Sequence, residues 1–369
     1  MDFFTPALFN QPEYRKLNAA WCIDETAHIE RLCSAAKLND EAQARVQQHA
    51  YVLVAKVRKN RRSGTGIDAF MHEYQLSSQE GVVLMCLAEA LLRIPDEETI
   101  DKLIRDKIAT GDWESHLGKS ESLFVNASTW GLMISGRMVG AAGKLAVPNP
   151  IGNSETSRSI FQRLLQRSGE PIIRQAVRQA MRIMGRQFVM GRTIGEALRR
   201  GRAQQAKGYF YSYDMLGEAA RTEADSVRYL QAYLNAIKAI GKEAANRGPL
   251  HSPGISIKLS ALHPRYELAQ GERIMRELLP RLLQLAQAAK AVDIGLTIDA
   301  EEADRLDMSM ALLEAVATDA SLSGWDGLGV AVQAYQKRAF DLIDWLATLA
   351  ARTKRRLMIR LVKGAYWDT

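Results

Sequence analysis

The chain has 369 residues, 47% of them hydrophobic and 25% charged, which excludes a disordered or fibrous protein and allows two or three domains, each with a core. Its formal charge of +7 reflects 49 basic residues against 42 acidic ones, an excess too mild and too evenly spread to point to nucleic acid. Cys22, Cys33 and Cys86 form no CxxC pair, so neither a disulfide framework nor a cysteine-based metal site is expected, and no metal is predicted.

No apolar run approaches the ~18 residues of a membrane-spanning helix, and the N-terminus lacks a basic-then-apolar leader. A reducing, cytoplasmic setting is expected, with docking on a membrane surface left open.

Up to about Gly201 the pattern reads as almost entirely helical. His28–Leu38 and Asp40–Arg58 carry apolar residues at mixed three and four spacing, as amphipathic helices do. The basic run Lys56–Arg62 reads as a solvated helix end, and Gly64–Gly66 as a boundary. Ser77 and Ser78 precede Gln79 and Glu80 as a helix start, and Glu80–Arg93, apolar on most faces and containing Cys86, runs until Pro95 stops it. Asp96–Ile108 forms another helix, Val147–Asn153 a Pro- and Gly-containing loop, and Pro171–Met190 a long amphipathic helix.

Beyond Gly201 the rhythm changes to short β-rich runs separated by helical stretches. The strands are Tyr209–Met215, Gly254–Leu259, Ile294–Ile298, Gly329–Gln333 and Leu357–Val362. The helices are Glu223–Ile240, Glu272–Ala291, Asp304–Ala317 and Phe340–Arg352. Strand–helix repeats with strands buried on both faces mean parallel β/α architecture. Polar residues gather at the strand ends: Asp214, Glu218, Lys258, Asp299, Gln333, Lys363 and Tyr366. Barrels of the (β/α)₈ type place their chemistry there. An open doubly wound sheet is the alternative, but no GxGxxG follows a strand.

A barrel needs eight units, and the sequence supplies strands one to five. The fold class expected is therefore α/β: an N-terminal all-helical region followed by an incomplete (β/α)₈ TIM-type barrel, the front part of a longer product. The domain boundaries expected are a helical arm (1–68), a helical α-domain (69–195) and the barrel segment (196–369). The basic run Arg352–Arg360 is expected to cap the helix before the fifth strand.

Several residues are candidates on chemistry alone. Lys258 ends a strand and can offer a cation to a substrate carboxylate; a rim salt bridge to Asp299 is the structural alternative. Arg360 lies within a strand, where a buried guanidinium is costly unless paired. Gly364 and Ala365 allow close backbone approach to a ligand. Glu301 and Glu302 suit the N-terminus of the following helix through its dipole.

In order and spacing, the motifs FYSYDMLGEAA (Phe210–Ala220), GISIKLSALHPRY (Gly254–Tyr266), IDAEEADRL (Ile298–Leu306), VQAYQKR (Val332–Arg338) and RLVKGAYWD (Arg360–Asp368) resemble the proline dehydrogenase domain of proline utilization A proteins. The stretches Leu76–Asp96 and Ser122–Met133 resemble that family's arm and α-domain.

The resemblance implies FAD at the strand ends, oxidation of L-proline to Δ1-pyrroline-5-carboxylate, and electron transfer to quinone by a cytoplasmic protein associated peripherally with the membrane. It also implies a fused aldehyde dehydrogenase module downstream. The resemblance assigns Lys258, Asp299, Tyr366 and Glu218 to catalysis. Glu218 would pair with a substrate-binding arginine from the last helix, and Tyr366 would pack beside the proline ring. The cofactor would meet Asp299, Ala300, Gln333, Arg360, Val362, Lys363, Gly364, Ala365 and Trp367, with Gln333 and Arg360 on the isoalloxazine.

Two carboxylate-gripping arginines and the loops for the adenosine half of FAD would lie past the fifth strand. Residues 1–369 alone are accordingly expected neither to hold FAD stably nor to turn over. Only about fifteen residues precede the arm-like helices, so no DNA-binding module is expected; a homo-oligomer is compatible. Two rivals stand beside this reading: a lysine Schiff-base aldolase using Lys258, and a non-catalytic helical oligomerisation scaffold.

Overall fold

The computed structural model describes residues 6–61, 99, 189–215, 217 and 219–364. The chain divides into two compact units, Met1–Lys37 with Thr193–Thr369, and Leu38–Arg192. The expected helices Glu80–Arg93 and Asp96–Ile108, the loop Val147–Asn153 and nearly all of Pro171–Met190 lie outside the described residues. Elements are numbered among the described residues alone.

In the second unit, α3 (Asp40–Arg61) is opened by Asn39, whose Oδ1 accepts the N–H of Ala42 at 2.8 Å. Its side chains from Lys56 to Lys59 are exposed, as a solvated basic end requires.

The first unit holds a five-stranded sheet in the order β1-β2-β3-β4-β5, every neighbouring pair parallel. The strands are β1 (Ser212–Asp214), β2 (Gly254–Ile257), β3 (Leu296–Ile298), β4 (Leu328–Gln333) and β5 (Met358–Val362). After α4 (Ile194–Gln205), the helices α5 (Glu223–Ala244), α6 (Gly271–Ala291), α7 (Leu306–Thr318) and α8 (Ala339–Thr353) alternate with the strands. Consecutive parallel order with a helix in every crossover is the front of a TIM-type barrel.

Local chemistry explains the elements. Thr222 and Asp225 open α5 with a reciprocal capping box, Thr222 Oγ1 accepting from Asp225 N at 3.2 Å and Asp225 Oδ2 accepting from Thr222 N at 3.0 Å. Tyr233, Ala236, Ile237, Ile240 and Ala244 form the buried stripe of α5; Ile274, Leu278, Leu282, Leu285 and Ala289 form that of α6. Ile255, Ile257, Leu296 and Ile298 are fully buried. The alternate positions Ser256, Lys258, Thr297 and Asp299 therefore share the opposite face of the pleat.

Two expectations are revised here. Burial on both faces holds for β3 and β4 but not for the sheet edges β1 and β5. Each edge strand has one neighbour, so Ile359 is 43% and Leu361 60% exposed. The basic run before β5 caps α8 only in part: Arg352 lies in its last turn and Lys354 closes it in the left-handed region (φ 51°). Arg355 instead donates to the carbonyls of Ala317 (2.6 Å), Asp319 (2.9 Å) and Leu322, around the end of α7. Its length and planar fork reach carbonyls across the domain that the local pattern does not reveal.

The N-terminal residues hold a further helix, α1 (Pro12–Ala19), in keeping with the helical pattern expected there, with Pro12 at its first position. Leu8 and Leu17 are buried, and Trp345 of α8 donates through Nε1 to Gln11 Oε1 at 3.1 Å. Gln11 Nε2 donates in turn to Glu314 at 2.6 Å, and Lys16 pairs with Asp341 at 2.9 Å. After it, α2 (Glu25–Ala36) is capped by Asp24. No described helix is long and apolar enough to cross a membrane.

Gly241 of α5 lies against Val292, whose Cβ would be 2.5 Å from an added methyl carbon; Gly195 of α4 has no atom within 4 Å of that position. Gly241→Ala is expected to destabilise by about 1–3 kcal/mol through overpacking. Gly195→Ala should stabilise by about 0.5 kcal/mol. Urea unfolding of the two variants beside the parent checks both signs.

Candidate active site

The shared polar face of the sheet carries a row of charges at the strand ends. Lys258, immediately after β2, places Nζ 3.0 Å from Asp299 Oδ2 and 3.1 Å from Asp214 Oδ2. Arg360 of β5 pairs through Nη2 with Asp299 Oδ1 and donates through Nη1 to Ser256 Oγ at 3.0 Å. Ser256 Oγ lies 2.8 Å from Ser212 Oγ. The row thus joins β1, β2, β3 and β5.

Arg360 reaches past β4 because the intervening positions on that face are small. Gly329 and Ala331 of β4 are in register with Met358 and Arg360. A methyl on Gly329 would stand 2.7 Å from the Met358 carbonyl and 3.0 Å from Thr297 Oγ1. A larger residue at either position would obstruct the crossing.

The electrostatics follow from this crowding. Burial pulls the Lys258 ammonium down, but Asp299 and Asp214 together outweigh it and hold its pKa above the ordinary lysine value. Lys258 is therefore a fixed cation. A Schiff-base lysine needs the opposite shift, so the aldolase reading loses its chemical basis. The backbone N–H of Lys258 donates to Tyr233 Oη at 3.2 Å, anchoring the strand end to α5.

Gln333 ends β4 and is 4% exposed. Its Nε2 donates to the Glu301 carbonyl at 3.1 Å and its Oε1 accepts from Gln336 Nε2 at 2.7 Å. Glu301 was expected at a helix N-terminus. It is instead buried, accepting the N–H of Ser260 at 3.0 Å, while Glu302 does stand at the N-cap of the 3-10 turn Ala303–Arg305 that leads into α7. It thus ties the loop after β3 to the loop after β2. Burial raises its pKa, against the opposing effects of Ser260 and Arg305.

Lys258, Asp299 and Arg360 therefore meet directly, with Gln333 at the neighbouring strand end. The rim salt bridge of Lys258 to Asp299 is formed, and Asp214 is added to it. Arg360 is paired but not buried, its side chain being 42% exposed. Ala300 is half-buried beside Asp299.

The backbone carbonyls of Val362 and Lys363 accept from Ala334 and Tyr335, at 2.8 and 3.0 Å. Gly364 has φ 97°, and a methyl there would meet the Tyr335 ring at 2.1 Å, so its smallness serves that ring. Glu218, Ala365, Tyr366 and Trp367 lie outside the described residues. Sequence reasoning overlooked Ser212, Ser256 and the inward role of Glu301. Alternation with apolar strand residues was the available signal for the serines; nothing local marked Glu301.

Comparison with known proteins matches successive segments of the chain. Residues 197–369 match the family model for Proline dehydrogenase, and residues 15–58 that for the Proline utilization A proline dehydrogenase N-terminal domain. "Bifunctional protein PutA" of Salmonella typhimurium is 52% identical over 357 residues, 96% of this chain and 26% of that protein. Its namesake in Escherichia coli K12 is 50% identical over 373 residues, 100% of this chain and 27% of that one. A crystal structure of a Bradyrhizobium japonicum proline utilization A (PutA) variant superposes with a TM-score of 0.63 at 44% identity, covering 94% of this chain and 33% of that one. The chain thus spans about a quarter of the length of these curated relatives.

The described fold is that of the front part of a TIM-type barrel domain. The chain belongs to the proline utilization A family, with residues 197–369 in its proline dehydrogenase domain.

One expectation is overturned. Residues 66–188 match the family model described as the DNA-binding domain of Proline dehydrogenase, so the chain does carry such a segment. The expectation rested on the few residues ahead of the first arm-like helix, whereas this segment follows Arg61.

The raised pKa of Glu301 has a definite sign for stability. The folded state binds its proton more tightly than the unfolded chain, so this group's contribution declines as pH rises from the ordinary carboxyl range through the raised value. Glu301→Gln should flatten that decline, with the urea midpoint falling less than in the parent as pH rises above the ordinary carboxyl range.

Proposed function

We propose that the barrel segment, in the full-length protein, oxidises L-proline to Δ1-pyrroline-5-carboxylate with FAD as the redox cofactor. The observation that carries this is the row Asp214–Lys258–Asp299–Arg360 at the open strand ends, with only glycine and alanine on β4 between Asp299 and Arg360. Family membership and the names of the relatives, which include Proline dehydrogenase 1 of Bacillus subtilis at 27% identity, support the same chemistry.

These residues fit a flavin. The Arg360 guanidinium is half-exposed, held by Asp299, and borders a floor without bulky side chains. Arg360 and Gln333 would meet the isoalloxazine, with Asp299, Ala300, Val362, Lys363, Gly364, Ala365 and Trp367 completing the border. When bound, the flavin supplies a two-electron acceptor for the C–H bond beside the ring nitrogen.

The remaining work falls to the protein. Lys258, kept charged by its two carboxylates, presents a cation to the proline carboxylate and helps fix the ring's orientation. Asp299 holds Lys258 and Arg360 in one geometry, so the cation facing substrate and the donor facing cofactor move together. Arg360 would hold a fixed positive charge beside the bound ring. Tyr366 would shield the substrate from water, and Glu218 would position a substrate-binding arginine.

Anaerobic addition of L-proline to the purified full-length protein is expected to bleach a visible flavin band. Lys258→Met should slow that bleaching on the order of 100-fold while flavin remains bound. A parent protein that purifies without flavin, or whose flavin proline leaves oxidised, would defeat the proposal.

A further inference from the structure

The N-terminal helix reaches the site through a continuous chain of buried polar contacts. Tyr14 Oη of α1 donates to Asp307 Oδ1 at 3.1 Å, and Asp307 is 1% exposed. The same carboxylate receives Arg338 Nη1 at 3.2 and 3.4 Å. The Arg338 guanidinium, on a side chain 2% exposed, lies 3.7 Å from the centroid of the Trp21 ring.

From there two branches run to the strand-end loops. Arg338 Nη2 donates to the Ala303 carbonyl at 2.5 Å, in the loop after β3. Arg338 Nε donates to Gln336 Oε1 at 3.3 Å, Gln336 Nε2 to Gln333 Oε1 at 2.7 Å, and Gln333 Nε2 to the Glu301 carbonyl at 3.1 Å.

We infer that Arg338 is a positioning residue for the redox site, and that Tyr14 and Trp21 from the N-terminal segment hold it in place. The inference rests on the flavin reading above and adds a role to residues which that reading leaves unused.

The physical case lies in what a buried guanidinium demands. Arg338 must be paired, and Asp307, Ala303 and Gln336 take its three nitrogens in different directions. Stacking on Trp21 fixes the plane of the fork. With that plane fixed, Gln336 has a set orientation, its amide nitrogen faces Gln333, and the side-chain amide of Gln333 is oriented in turn. A glutamine amide free to turn over would present oxygen or nitrogen to a flavin edge indifferently. The contact chain removes that freedom. The loops after β3 and β4 are thereby joined to a helix nearly three hundred residues upstream, the Tyr14–Asp307 separation being 293.

The test uses the flavin-loaded full-length protein and the variants Tyr14→Phe, Arg338→Lys, Gln336→Leu, Gln333→Ala and the double Tyr14→Phe/Gln336→Leu. Three readouts are taken: the shape of the visible flavin band, the flavin dissociation constant and the thermal midpoint. Arg338→Lys and Gln336→Leu are each expected to weaken flavin retention about fivefold to tenfold and to alter the band as Gln333→Ala does, the loss of about one oriented hydrogen bond. Tyr14→Phe should give a smaller change of the same kind, and the double variant should be no worse for flavin than Gln336→Leu alone.

Variants that lower only the thermal midpoint, with band shape and flavin affinity at parental values, would overturn the relay while leaving the redox reading intact. So would strictly additive effects in the double variant. A parent that holds no flavin would remove both.

Discussion

Asp299 is the residue on which the site depends. It ends β3, is 8% exposed, and holds two cations contributed by strands on opposite sides of it, Lys258 from β2 and Arg360 from β5. A carboxylate at that depth is tolerable only because both of its oxygens are paired. The pairing in turn requires that β4, lying between β3 and β5, keep its face low. Gly329 and Ala331 meet that requirement, so the apolar pattern of β4 and the charge pattern of its neighbours express one constraint. Removing either cation would leave one oxygen of Asp299 buried without its partner, a larger loss than the pair's own net stabilisation.

The same economy of space organises the outer layer. Fully buried aliphatic residues on β2 and β3 face the stripes of the flanking helices. Among the buried charged side chains, Glu301 and Arg338 act as ties between loops. Glu301 joins the loop after β3 to Ser260. Arg338 joins the loops after β3 and β4 to α1 and Trp21. Loops that carry chemistry are otherwise the most mobile parts of a barrel, so buried ties of this sort determine how closely the strand-end groups keep their geometry.

Much of the fold was legible because its signals are local. Glu223–Ala244 and Ala339–Thr353 show apolar residues at helical spacing, and the β4 run LGVAVQ has the length and composition of a buried strand. The strand-end positions of Lys258, Asp299 and Gln333 followed from those boundaries. Less legible were α1, a short helix marked only by Pro12 and Glu13, and the exposure of β1 and β5, which depends on how many neighbours a strand has. The DNA-binding segment at 66–188 was missed because the reading sought a module ahead of the helices.

The sequence by itself determined the succession of strands and helices, the parallel sense of the sheet and the side of it on which polar groups collect. These depend on periods of about two and 3.6 residues, which any stretch of chain carries within itself. Tertiary structure alone decided the partners. It gave Lys258 two carboxylates, took Arg360 across β4, turned Glu301 inward, sent Arg355 to α7 and brought Tyr14 to Asp307. The physical reason is that a side chain's partner is set by which elements the fold stacks side by side and by how far the side chain reaches, and neither is written in the neighbouring sequence.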